Sequence, residues 1–143
     1  MTTVLVAIDG SECALRAIRH LLALRARYRN PGELVIHLVN VQPQLSTDIG
    51  RFFSQAQVSD FHRQESAKAL EGAQALLDAA GAAYTSHIEV GHVADVIARL
   101  ADSLECEQIV MGTHGRGTLA ELLVGSTTMK VVHLARVPVL LVK

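Results

Sequence analysis

The sequence predicts an α/β fold in which helices cover both faces of an open, mostly parallel sheet. Three observations predict it. Short apolar runs alternate with helix-spaced segments through the whole chain. Those apolar runs leave no wet face, as expected of strands buried on both sides. Half of the 143 residues are hydrophobic yet only 3% are aromatic, so the core must be built from Val, Leu, Ile and Ala. This length suits one domain spanning residues 1–143 with a sizeable core.

Each element has its own signal. Thr3 to Ile8 is a branched apolar run ending at Asp9-Gly10-Ser11, a turn signal and a good N-cap. Ala14, Ala17, Ile18, Leu21 and Leu22 then recur at helical spacing, and Asn30-Pro31-Gly32 stops the helix. A second strand runs from Glu33 to Val41 and ends before Pro43. The mixed stretch from Gln42 to about Gln57 reads as a long connection, a flap carrying some helix. Phe61, Leu70, Ala73, Leu76, Leu77 and Ala80 mark a long helix, with Gly81 as its stop. Tyr84 to Val90 is a third strand, broken by Gly91. Val93, Val96, Ile97, Leu100, Ala101 and Leu104 give the cleanest amphipathic helix. Gln108 to Met111 is a fourth strand, Ser126 to Ala135 a last helix, and Val137 to Val142 a fifth strand, whose Pro138 fits a strand start or an edge.

Composition narrows the partners. The formal net charge is −1, which gives no basic excess for nucleic acid. No apolar stretch is long enough to span a bilayer. Met1-Thr2-Thr3-Val4 lacks the basic segment of a signal peptide. Two cysteines, Cys13 and Cys106, make no disulfide framework, so a reduced, cytoplasmic protein is expected.

The sharpest chemistry lies in Gly112-Thr113-His114-Gly115-Arg116-Gly117 and in Gly125-Ser126-Thr127, between an apolar strand and a helix. Glycines let backbone N–H groups face one point without a Cβ in the way. A helix starting near Gly125-Ser126 aims its free N–H groups and positive dipole end at the same place. The pattern describes a phosphate cradle. It is not a Walker A loop, because no Gly-Lys-[Ser/Thr] follows. In open α/β sheets ligands sit beyond the carboxyl ends of strands where the winding reverses. The first strand ends at Asp9-Gly10-Ser11 and the fourth at Gly112, so these two strands are expected to be neighbours.

The candidate binding residues are therefore Asp9, Gly10 and Ser11 at the first strand end, with Met111, Gly112, Gly115, Arg116, Gly117, Gly125, Ser126 and Thr127 at the fourth. Asp9 can accept from ribose hydroxyls or hold Mg²⁺ through water, or simply form the turn before Gly10. Ser11 is most simply a helix N-cap. Arg116 and Lys130 are placed to reach a phosphate or to stand in solvent. His87 and Glu89 share a strand face near His92, but three or four fixed ligands are what a zinc site normally wants. No G-x-S-x-G elbow is present, and no catalytic residue is assigned.

Val6-Ala7-Ile8-Asp9-Gly10-Ser11, Asn40-Val41, Val137-Pro138-Val139 and the spacing G-x2-G-x9-G-S from Gly112 to Ser126 resemble the universal stress protein family over essentially the full chain. The spacing matches the pattern of the family's ATP-binding members. The resemblance implies a Rossmann-like five-stranded parallel sheet in the order 3-2-1-4-5 and a homodimer through Val139 to Val142. It implies ATP or another adenine nucleotide as ligand, with Mg²⁺ as an accompanying ion near Asp9. It places Val41 against adenine through its backbone, and Gly112, Gly115, Gly125 and Ser126 around ribose and phosphates. Thr127 departs from the family, where valine is common. The function so implied is a nucleotide-binding regulator acting in stress adaptation. A slow ATPase or a nucleotidyl or phosphoryl transferase, and a dimeric scaffold with a vestigial pocket, are the alternatives.

Overall fold

The computed structural model describes residues 1–113 and 124–143. Five strands form one sheet: β1 (Thr2–Ala7), β2 (Leu34–Gln42), β3 (Tyr84–Val90), β4 (Gln108–Gly112) and β5 (Val139–Val142). All are parallel, in the order β3-β2-β1-β4-β5. The expected strand order and the neighbourhood of the first and fourth strands are both present. β1 pairs with β2 from Thr2↔Leu34 to Ala7↔Val39, and with β4 from Val4↔Gln108 to Val6↔Val110.

The alternation along β1 explains why helices lie on both faces. Val4, Val6 and Ile8 point into one core with α1 (Glu12–Arg25) and α3 (Gln55–Ala79), where Ile18, Leu21, Leu70 and Leu77 are buried. Leu5 points into the other with α4 (Val93–Ser103) and α5 (Ser126–Leu134), where Val96, Ile97, Ile109 and Val131 are buried. Each large aliphatic side chain so buried contributes roughly 1.5–3 kcal/mol relative to exposure. Among the described residues, no Phe or Tyr ring is buried.

Local signals fix the element ends. Ser11 caps α1 by accepting the Ala14 N–H at 3.2 Å. Gly81 stops α3 with φ +62°, a conformation that costs a residue with a Cβ far more than glycine. Two expectations need correction. The connection ends slightly before the expected boundary at about Gln57, and the long helix begins at Gln55. Ser54 accepts the Gln57 N–H at 3.1 Å and Gln57 Oε1 accepts the Ser54 N–H at 2.8 Å, a capping box that fixes this start. The connection after β2 is correspondingly short, and it carries one helical turn, α2 (Thr47–Gly50), capped by Ser46. The fifth strand starts at Val139, because Pro138 has no N–H to give to the ladder, although its carbonyl accepts the Ile109 N–H.

β3 is an edge strand and departs from the dry pattern, with Thr85, Ile88 and Val90 exposed. His87 on β3 meets His37 on β2, Nε2 to Nδ1 at 2.9 Å, rather than joining Glu89 and His92. Among the described residues no three His, Cys, Asp or Glu side chains converge to hold a metal ion. Burial, and then the neighbouring His87, push the His37 imidazole below its usual range. The folded state thus binds fewer protons at His37 than the unfolded chain does around pH ~6.5. Stability should be fully present above that range and fall as pH drops through it. Urea melts between about pH 8 and about pH 5 should show this loss, and His37→Asn should flatten it.

Candidate functional site

A cavity of about 530 Å³ opens where β1 and β4 end side by side. β1 brings Ile8 and Asp9 to its rim, β2 brings Val41, and β4 brings Met111 and Gly112. Gly125, Ser126 and Thr127 close it from the start of α5. Eight of the candidate residues therefore line one cavity: Asp9, Ser11, Val41, Met111, Gly112, Gly125, Ser126 and Thr127. Gly10 does not line it but shapes its edge. Its φ of +83° lets the chain turn from β1 into α1. Lys130 is exposed and away from the lining. Gly115, Arg116 and Gly117 fall outside the described residues.

The start of α5 has the features of an anion site. Its N-cap, Gly125, has an extended φ of −62° and ψ of 156°, and no side chain caps the helix. First-turn N–H groups of a helix have no intrahelical acceptor, and here they begin at a cavity wall. Two hydrogen bonds hold this helix end to the sheet. The Thr113 carbonyl accepts the Gly125 N–H at 2.7 Å, and the buried Thr128 hydroxyl donates to the Gly112 carbonyl at 3.2 Å. Thr128 carries this anchoring role, which the glycine pattern alone did not reveal.

Asp9 forms the turn expected of it and also stands at the cavity. Its Oδ1 accepts the Ser11 N–H at 2.9 Å, so it forms the turn. It also lines the cavity and is exposed there, leaving carboxylate capacity for a ligand hydroxyl or a hydrated cation. Ser11 is the N-cap expected of it.

Asn40 was legible only as part of a family motif, and its work is tertiary. It is buried, and its Nδ2 donates to the Ile8 carbonyl at 2.7 Å. Its Oδ1 accepts from Ser66 Oγ on α3 and from Gln42 Nε2, each at 2.8 Å. One carboxamide, itself lining the cavity, thus joins the ends of β1 and β2 to α3. Glu65 and Ala69 of α3 also line the cavity, and sequence reasoning missed both. Their only signal was helical position, Glu65 immediately before Ser66 and Ala69 about one turn after it.

Gly112 is required by packing. A Cβ there would lie 2.6 Å from Cys13 Sγ and 3.1 Å from the Cys13 backbone carbon. The glycine lets α1 approach the end of β4. Cys13 is buried, and its thiol donates to the Val142 carbonyl at 3.3 Å. Burial pushes the Cys106 thiol above its usual range, which disfavours the reactive thiolate.

The comparisons with known proteins agree with this architecture. The profile of the Universal stress protein family matches residues 1–143. The chain belongs to the universal stress protein family. A Thermus aquaticus universal stress protein is 32% identical over 141 residues, covering 99% of this chain and 98% of the relative. The solved structure of the Methanocaldococcus jannaschii protein MJ0577 superposes with a TM-score of 0.82 at 26% identity, covering 99% of this chain and 95% of that one. A universal stress protein solved in complex with cAMP superposes with a TM-score of 0.71 at 26% identity, covering 99% and 97%. Among the described residues, no helix of this family member is long and apolar enough to cross a membrane.

Two substitutions test the site's scaffold. Gly112→Ala should destabilise the fold by about 1–3 kcal/mol through overpacking against Cys13. Adding Cys13→Ala should restore only part of this, because the Cys13 backbone stays in place; chemical denaturation of the two variants measures it. Ser66→Ala should cost about 1 kcal/mol, and Asn40→Ala more, since it orphans three partners instead of one.

Proposed function

We propose that this chain is an adenine-nucleotide-binding regulator of the universal stress protein type, with the cavity between β1 and β4 as its binding site. The observation that carries the reading is the uncapped start of α5 in the wall of a cavity at the winding reversal. Phosphate meets the free N–H groups and dipole of that helix, as helix N-termini generally favour. Ribose meets Asp9, and adenine lies against Val41. Support comes from the relative of similar fold solved with cAMP. Gly115, Arg116 and Gly117 belong to the same proposed cradle through the glycine spacing. ATP, and Mg²⁺ held through water by Asp9, extend the proposal. One carboxylate beside a phosphate chain suits Mg²⁺, which keeps most of its waters.

Homodimerisation through β5 belongs to the same reading. β5 is an edge strand with all four residues half-buried. Met129, Val132 and Leu134 of the preceding helix leave apolar surface exposed. Stress adaptation is the output proposed for nucleotide occupancy, and a cytoplasmic setting goes with it.

Binding is favoured over turnover. Asp9, a carboxylate lining the cavity, already accepts the Ser11 N–H, and hydrolysis needs a positioned water with charge stabilisation on the moving phosphoryl group. Calorimetric titration with ATP and AMP should show binding to the native chain. Gly125→Val, which adds a branched Cβ at the cradle, should weaken it at least about ten-fold, or ~1.4 kcal/mol, with the melting temperature little changed. Phosphate release from ATP and Mg²⁺ should stay well below about 1 s⁻¹. Undiminished nucleotide affinity in Gly125→Val would refute the assignment. Native mass spectrometry should find two chains per particle and the added mass of the nucleotide.

A further inference from the structure

A second cavity, of about 770 Å³, lies nearer the start of α3 than the nucleotide candidate and shares no lining residue with it. It is formed by the segment after β2, the first two turns of α3 and the end of β3. We propose that it is a second ligand site, for an amphiphilic monoanion with the chemistry of a medium-chain carboxylate.

Four features point to that class. Its volume falls in the range of about 300–1,000 Å³ typical of small-molecule sites. Leu45, Val58, Ile88 and Val90 give it aliphatic walls. Ile88 and Val90 remain 46% and 40% exposed although both sit on the sheet face that α3 covers further down. Phe52, 83% exposed, and Phe53 lie in the short run between the lining residues Gly50 and Gln55. An apolar chain laid along these walls removes that surface from water, at roughly 0.8 kcal/mol per buried methylene.

The polar side of the cavity selects the head group. Arg63 is its one cationic side chain among the described lining residues, and no carboxylate lines it. Gln44, Gln55 and Ser59 add neutral donors. One guanidinium matches one planar carboxylate through paired N–H donors. A phosphate dianion would leave a charge uncompensated. The pair that Arg63 now makes, to Asp60 at 3.5 Å, is exposed on both sides and therefore weak and readily exchanged. His62 also lines the cavity and is buried, and its Nδ1 has no hydrogen-bond partner among the described residues. That nitrogen is closed off from solvent, so the accessible contact for the head group is Arg63.

The proposal does not depend on the nucleotide reading, because the two cavities are separate. Sodium decanoate below its micelle-forming concentration is the probe, titrated calorimetrically into the full chain with and without AMP. Saturable one-to-one binding is expected, unaffected by AMP. Arg63→Gln and Ile88→Asp should each weaken it about ten-fold, while Asp60→Asn should strengthen it by freeing Arg63. A gain in affinity cannot come from misfolding, so the last variant guards against a trivial loss. Decanol, with the same tail and no charge, should bind at least about ten-fold more weakly. Absence of saturable binding would overturn the site, as would indifference to all three substitutions. Displacement of decanoate by AMP would place it in the first cavity and would equally overturn the proposal.

Discussion

A parallel strand buried on both faces can meet a ligand only at its end, and β1 is such a strand. Val4, Leu5 and Val6 are shut off from solvent between two helical layers. The chain leaves β1 to build β2 and β3 on one side, then returns to lay β4 and β5 on the other. The crossovers depart in opposite directions from the ends of β1 and β4. A gap between them is unavoidable, and its lining is whatever the two strand ends carry. Asp9 and Ser11 stand at one end and Met111 and Gly112 at the other. The site's location is thus a consequence of sheet topology before any ligand chemistry enters.

Keeping that gap in shape takes polar work inside an otherwise apolar fold. The Asn40 carboxamide does it on one side by using donor and acceptor together, with the Ile8 carbonyl, Ser66 and Gln42 as partners. Thr128 and Gly125 do it on the other by hydrogen bonding to Gly112 and Thr113. Buried hydrogen bonds of this kind add little net stability each but cost heavily when broken. They specify geometry, while the aliphatic core supplies the bulk of the stability. Helix α3 belongs to both cavities, giving Glu65 and Ala69 to one and Val58, His62 and Arg63 to the other. Its start at Gln55, fixed by the Ser54–Gln57 capping box, places Gln55, Val58 and Ser59 at the second cavity.

Some roles changed on passing from sequence to structure because a residue's chemistry does not state its neighbours. Gly112 read as a place for phosphate to approach, yet a Cβ there first collides with Cys13. His87 read as one of a local trio, yet its partner is His37, fifty residues away in the chain and adjacent only through the parallel pairing of β2 and β3. The capping box at Ser54 was visible in principle, since serine followed three residues later by glutamine is a known helix start.

The sequence by itself determined the fold class, the strand order through family resemblance, and the two strand ends that form the first cavity. These depend on hydrophobic period, on turn residues and on motif spacing, all properties of contiguous chain. Only the tertiary structure decided that Asn40 bridges three elements, that α3 lines two cavities, and that Arg63 and His62 face Ile88 and Val90 across the second one. Those facts arise where segments distant in sequence are pressed together by core packing, and no local pattern encodes which side chains then meet.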